Sequence, residues 1–157
     1  MSIVVVGGAG FIGRRLIPIL EKQGEQVVCM DINPGAASFG ERVKMVRGDV
    51  TQFDEVMAVV SEAKPDRLIN LSYYIGSDLP PRVATKLNVL GMDNCFEAAR
   101  LCGVKHTVYA SSLAVSGQQS HFGERATTED DLKHGDNQYA ANKIFNEWQA
   151  KIGRAHV

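Results

Sequence analysis

Ile3-Val4-Val5-Val6-Gly7-Gly8-Ala9-Gly10-Phe11-Ile12-Gly13 decides how the rest of the chain is read. The apolar run at its start has no polar residue alternating through it, which marks a strand buried on both faces, as in a parallel sheet. Gly7 then lets the chain turn sharply, Gly10 lets backbone approach a bound pyrophosphate, and Gly13 lets a helix pack close to the strand. The segment that follows predicts a helix over Phe11–Gln23, with Phe11, Ile12, Leu16, Ile19 and Leu20 on one side and Gly24 as its stop. Pro18 falls inside it and predicts a local bend. A helix that begins at such a turn offers unpaired N–H groups and a partial positive charge to an anion. Glycine-rich turns are common, and this one gains meaning from lying between a strand and a helix.

Working outward, Gln26–Met30 reads as a second strand, Val43–Arg47 as a third, Arg67–Leu71 as a fourth and Lys105–Ala110 as a fifth. Between them lie helical patterns at Gln52–Ala63, stopped by Lys64-Pro65, and at Arg82–Cys102, ended by Gly103; a last helix is predicted over Gly135–Lys151. Ser116–His134 is polar and reads as a surface loop beside the site. This alternation predicts an α/β fold, a parallel sheet with helices on both faces, whose ligands bind beyond the carboxyl ends of the strands. Asp31 closes the second strand, where a carboxylate accepts hydrogen bonds from both ribose hydroxyls of an adenosine and repels a 2′-phosphate. That favours NAD over NADP; the competing reading makes Asp31 a helix cap or turn residue in Asp31-Ile32-Asn33-Pro34. Asp49, after the third strand, either caps the helix beginning near Gln52 or accepts from an adenine amino group, and the residues alone leave both open.

Length and composition set the outer limits. A chain of 157 residues builds one domain. With 45% hydrophobic and 22% charged residues, a net charge of −1 and basic residues scattered, it has no footprint for nucleic acid. No apolar run approaches the roughly 20 residues of a membrane span, and no basic stretch precedes Ile3 as in a signal peptide, so a cytoplasmic protein is expected. Cys29, Cys95 and Cys102 lack metal-ligand spacing and are expected as buried free thiols. His106 lies in the fifth strand, the other histidines lie in polar loops or the tail, and no metal is expected. Glu124, Glu129, Asp130 and Asp131 read as a solvated loop or a helix start, Phe145 and Trp148 as core or interface.

Two further clusters bear chemistry. Tyr139 and Lys143 lie one helical turn apart, on one face. A free tyrosine has a pKa of about 10 and is a poor base, but a nearby ammonium and a cationic nicotinamide both favour its phenolate. Ser111 and Ser112 end the fifth strand, where a hydroxyl would hold a reacting oxygen beside that tyrosine; alternatively they satisfy loop backbone.

Taken in order, Gly7 to Gly13, Asp31, Gly48-Asp49-Val50, Asn88-Val89-Leu90-Gly91, Ser111-Ser112 and Tyr139-Ala140-Ala141-Asn142-Lys143 make the chain, to about Ala150, resemble the extended short-chain dehydrogenases/reductases. These are the NAD-dependent epimerases, dehydratases and related reductases. The resemblance implies a Rossmann-type doubly wound parallel sheet, truncated here before its last strands. It implies NAD bound by Gly7, Gly10, Phe11, Ile12, Gly13, Asp31, Asp49, Val50, Leu71, Ser72, Asn88, Tyr139 and Lys143, with Asp49 and Val50 at the adenine. It also implies catalysis by Ser112, Tyr139 and Lys143: Tyr139 takes a proton as hydride leaves carbon, Lys143 holds the ribose, and Ser112 orients the hydroxyl. Ser112 rather than Ser111 matches when counted back from Gly117.

Two departures matter. Val115-Ser116-Gly117 stands where the family carries Val-Tyr-Gly. Leu113 and Ala114 stand where sugar 4,6-dehydratases carry an Asp-Glu pair, so that elimination lacks its acid and base. The expected function is therefore an epimerase or dehydrogenase acting on a small molecule, a nucleotide sugar first. The alternatives are a reductase or dehydrogenase of a non-sugar carbonyl or alcohol, and a non-catalytic NAD-binding regulatory module. The family implies a homodimer at full length, formed through the long helix and the Tyr-bearing helix. It also implies a C-terminal lobe that grips the substrate and is absent here, leaving an incomplete NAD-binding domain over 1–151 that is expected to be inactive alone. Residues 152–157, Ile-Gly-Arg-Ala-His-Val, match an in-frame translation of a common short-read sequencing adapter and are expected to be a non-native tail.

Overall fold

The structure, a computed structural model, describes residues 2–76 and 78–154. The strands β1 (Ser2–Val6), β2 (Gln26–Asp31), β3 (Val43–Arg47), β4 (Arg67–Asn70) and β5 (His106–Tyr109) form one sheet in the order β3-β2-β1-β4-β5. Every neighbouring pair is parallel. The helices are α1 (Gly13–Lys22), α2 (Phe53–Ala63), α3 (Pro81–Thr85), α4 (Gly91–Leu101) and α5 (Gln138–Arg154). None of them is long and apolar enough to cross a membrane.

The unbroken apolar run of β1 follows from burial on both sides. Ile3 and Val5 pack with Ile17 and Leu20 of α1 and with Val27 and Cys29 of β2. Val4 and Val6 face the other way, into a layer built with Val56, Val59 and Val60 of α2 and Cys95, Ala98 and Ala99 of α4. Successive strand residues point to opposite faces, so only a continuous apolar run fills both layers. Each such side chain contributes roughly 1.5–3 kcal/mol over its exposed state. The chain winds from β1 outward to β3, returns to β4 on the other side, and runs out to β5. The winding direction reverses between β1 and β4, and a crevice opens at their carboxyl ends. The expected doubly wound parallel sheet is thus present.

Local details depart from the expected ones. The helix α1 begins at Gly13, because Gly10–Ile12 complete the turn, and its buried residues are Gly13, Ile17 and Leu20. Phe11, 76% exposed, and Ile12 and Ile19, about half exposed, do not share that face. The Arg15 guanidinium instead lies 3.9 Å over the Phe11 ring. Pro18 sits within α1, which remains one helix through it. The long helix expected over Arg82–Cys102 is divided: α3 leads into a π-helical turn at Lys86–Leu90, and α4 follows. Such a turn accommodates an extra residue and often accompanies a functional site.

The last helix starts at Gln138 rather than Gly135, because the Asn137 side chain accepts the Ala140 N–H at 2.9 Å as a cap. It continues through Arg154, so the expected tail is helical at 152–154, while 155–157 lie outside the described residues. The polar loop before it is folded on itself. His121 and His134 stack with ring centroids 4.0 Å apart, His121 Nε2 meets Asp136 at 3.1 Å, and Arg125 pairs with Asp131 at 2.7 Å. Phe145 and Trp148 are about half exposed, not core. Cys29 and Cys95 are buried free thiols and Cys102 is partly exposed.

Candidate functional site

The crevice is made by backbone brought unusually close. Gly7 adopts φ +74°, and a Cβ there would lie 2.5 Å from the Ser72 nitrogen, so the ends of β1 and β4 touch only because Gly7 has none. Its N–H donates to the Met30 carbonyl at 2.8 Å, and Leu71 N–H donates to the Val6 carbonyl at 2.8 Å. Gly13 seats α1 on the turn: a Cβ there would come 2.2 Å from the Gly8 carbonyl oxygen. Beside this turn runs a groove of about 270 Å³, lined by Gly7, Gly10, Asp31, Asp49, Val50, Leu71, Ser72, Tyr73 and Tyr74 among others.

Its carboxylates serve two purposes. Asp31 Oδ2 accepts the Ala9 N–H at 3.0 Å and Oδ1 the Asn33 N–H at 2.9 Å. The same side chain therefore organises its own turn, ties the glycine loop to β2, and faces the groove. Asp49 Oδ1 accepts the Thr51 N–H at 2.8 Å and closes the turn before α2, whose N-cap is Gln52 without a side-chain cap bond; Asp49 is therefore not the helix cap that one reading offered, and it lines the groove. Asn88 stands behind the wall. From the π turn its Oδ1 accepts the Tyr74 N–H at 2.8 Å and its Nδ2 donates to the Tyr74 carbonyl at 2.9 Å. Both ends of its amide are thus committed to holding the loop after β4. Asn70, 1% exposed, does the same for Ser72, accepting from its N–H at 2.9 Å and its hydroxyl at 2.6 Å. Nothing in the sequence singles Asn70 out. Burial, and secondly the charge of Asp31, push the Cys29 thiol up to about 11, and burial pushes Cys95 up to about 12, which leaves neither reactive.

The second half of the site joins β5 to α5. Lys143, 3% exposed, donates from Nζ to the Ala110 carbonyl at 2.5 Å, directly before Ser111 and Ser112. Ser111 adds a second tie, donating to Glu147 Oε1 at 2.6 Å. Ser112 Oγ accepts the Ala114 N–H at 3.2 Å and caps a 3₁₀ turn at Leu113–Ser116. Tyr139 and Lys143 share one face of α5, with Lys143 Nζ 5.8 Å from the Tyr139 ring centroid. Burial lowers the Lys143 pKa to about 8. Between them stands Tyr73, another residue outside the sequence-derived set; an aromatic pair, Tyr73-Tyr74, placed directly after a strand where ligands bind is its available signal. The sequence-expected residues therefore fall into two groups. Gly7, Gly10, Asp31, Asp49, Val50, Leu71 and Ser72 meet at the groove; Tyr139 and Lys143 share one face of α5, and Lys143 bonds the Ala110 carbonyl two residues before Ser112, whose own hydroxyl accepts from Ala114. Phe11 and Ile12 are exposed beyond the turn.

The groove suits a dinucleotide. Its glycine floor is bare backbone where any Cβ at Gly7 would collide, and an acceptor-only carboxylate at the end of β2 matches ribose hydroxyls and repels a 2′-phosphate. Comparison with known proteins points the same way. Residues 3–156 match the model of the NAD dependent epimerase/dehydratase family. The UDP-glucose 4-epimerase of Mycolicibacterium smegmatis is 33% identical over 159 residues, covering 94% of this chain and 49% of that protein. The structure of the Thermus thermophilus UDP-glucose 4-epimerase in complex with NAD superposes with a TM-score of 0.83 at 27% identity, covering 97% of this chain and 50% of the other. A mutated uronate dehydrogenase superposes with a TM-score of 0.82 at 28% identity, over 96% of this chain and 53% of that one. The chain spans about half the length of the curated relatives it matches.

Proposed function

The chain belongs to the NAD-dependent epimerase/dehydratase family, and from that premise we propose that it contributes the NAD site and the proton-transfer residues of an enzyme oxidising a hydroxyl-bearing carbon, a nucleotide sugar being the substrate class favoured. The observation that carries this reading is the bond from Lys143 to the Ala110 carbonyl, which ties the Tyr-bearing helix to the strand end bearing Ser112. Residues 1–151 act as the nucleotide-binding portion. NAD, when bound, supplies the hydride acceptor.

The protein's own part is proton handling and orientation. Tyr139 accepts the proton of the substrate hydroxyl, and the Lys143 ammonium favours its phenolate by charge. Ser112 holds the same hydroxyl so that its proton faces Tyr139. Asp31 fixes the adenosine end through its ribose, which explains a carboxylate placed at the end of β2. Leu113 and Ala114 stand where sugar 4,6-dehydratases carry their Asp-Glu pair, which argues against that particular elimination. A second reading, net oxidation by a dehydrogenase, is favoured by the likeness to the uronate dehydrogenase.

The test uses the polypeptide carrying this chain together with its substrate-binding portion. Tyr139→Phe is expected to keep NAD binding and lower turnover by at least about a hundredfold. Unchanged turnover would contradict the assignment and favour a binding module. NADH accumulating with substrate identifies a dehydrogenase; an epimerised product without net NADH identifies an epimerase.

A further inference from the structure

Tyr73 touches both of the proposed proton-handling groups. Its ring stands edge-on to Tyr139, with centroids 5.5 Å apart and planes at 89°. Lys143 Nζ lies 3.3 Å over the centroid of the same ring. The hydroxyl of Tyr73 donates to Asn146 Oδ1 at 3.2 Å, and Asn146, fully buried on α5, donates in turn to Gln149 Oε1 at 2.9 Å. At its backbone end, Tyr73 follows Ser72, which Asn70 holds twice. The ring is thus fixed at both ends, by the carboxyl end of β4 and by α5.

We propose that Tyr73 is a positioning residue of the site, holding the Lys143 ammonium on its ring face and setting Tyr139 with its ring edge; this rests on the roles proposed above for Tyr139 and Lys143. The physical need is plain. Lys143 is buried, and among the described residues the groups that meet its ammonium, the Ala110 carbonyl and the Tyr73 ring, carry no formal charge. A buried cation without an anion is costly, and the negative face of an aromatic ring supplies the missing attraction. An anionic partner would hold the ammonium more strongly but would compete for it with the phenolate of Tyr139; a neutral ring does not. Tyr73 itself stays neutral, since burial, then the neighbouring Tyr139, raise its pKa. It therefore remains a hydrogen-bond donor to Asn146 and does not exchange roles with Tyr139.

The experiment follows the titration of Lys143 by NMR in the full chain labelled at the lysine side-chain carbon, with Lys143→Met identifying the signal. Tyr73→Phe retains the ring and is expected to leave the Lys143 titration within a few tenths of a pH unit, whereas Tyr73→Leu removes the π face and lowers it by about one pH unit. Phenylalanine at 73 carrying increasing ring fluorination keeps shape while weakening the negative face, so it reads the effect even if the leucine variant fails to fold. A stepwise fall in the Lys143 titration with fluorination supports the proposal. A titration that ignores fluorination, or that moves equally for Phe and Leu, overturns it. Because the readout needs neither substrate nor turnover, it is separate from the Tyr139→Phe assay: loss of the catalytic reading leaves the titration result standing, and the reverse also holds.

Discussion

The groove at β1 and β4 and the neighbouring β5–α5 junction are built on opposite principles. At β1 and β4, the site is the absence of side chains: Gly7 and Gly13 allow contacts that any Cβ would forbid. At β5 and α5, it is a concentration of polar side chains in a buried place, with Lys143, Asn142 and Asn146 each less than a tenth exposed and Tyr73 and Tyr139 among them. The first kind of site is rigid because it is close-packed, and fails by collision. The second is held by partners, and fails by losing one of them or by a change in protonation. On the proposed function, one end would grip a constant anionic group and the other would move a proton, and each construction suits its task.

The largest expected effect tests the first end. Gly13→Ala places a methyl 2.2 Å from backbone oxygen and 2.5 Å from the Gly8 Cα, where no flexible side chain can give way. A loss of more than about 4 kcal/mol, or failure to fold, is expected. Gly24→Ala is the control: its φ of +81° is left-handed, but nothing lies within 4 Å. It should cost about 1–2 kcal/mol, from backbone strain alone. Urea unfolding of both variants makes the comparison, and equal losses would mean that close approach is not what Gly13 provides.

The second end predicts a pH effect of smaller size. Burial lowers Lys143 from 10.5 to about 8, so the folded state releases this proton before the unfolded chain does. Between about pH 8 and 10.5 the unfolded chain holds more protons, and stability therefore rises with pH through that window, by at most about 3 kcal/mol from this group. Tyr73 works in the opposite direction only above pH 10, where its unfolded form ionises first. The wild-type protein is thus expected to gain stability from pH 8 to 10 relative to Lys143→Met. Parallel pH profiles for the two proteins would show that the ammonium carries no burial cost.

This contrast also explains what is legible in the sequence. The β1 run and the glycine turn are local: neighbouring residues state both the strand and the reason for its end. The apolar stripe expected on α1 counts Phe11 and Ile12, which lie in the turn before the helix begins at Gly13, and Ile19, which is half exposed, and it omits the fully buried Ile17; Leu20 is common to both. The π turn is invisible to a pattern of helical period, since Asn88 departs from that period in order to bond Tyr74, far back in the chain. Tyr139 and Lys143 stand out by spacing on one helix. Their supports do not, because Tyr73, Ala110 and Asn70 acquire meaning only when β4 and β5 are brought against α5 and α4. Asp31 and Asp49 show a third case: the sequence offers two readings for each, and the structure contains a turn-forming and a groove-lining role in the same side chain.

The most direct test of the account is a calorimetric titration of the full chain with NAD⁺ and with NADP⁺. Asp31 at the end of β2 and the bare floor at Gly7 predict that NAD⁺ binds, at least about tenfold more tightly than NADP⁺. A folded chain that binds neither, or binds NADP⁺ as tightly as NAD⁺, would contradict it.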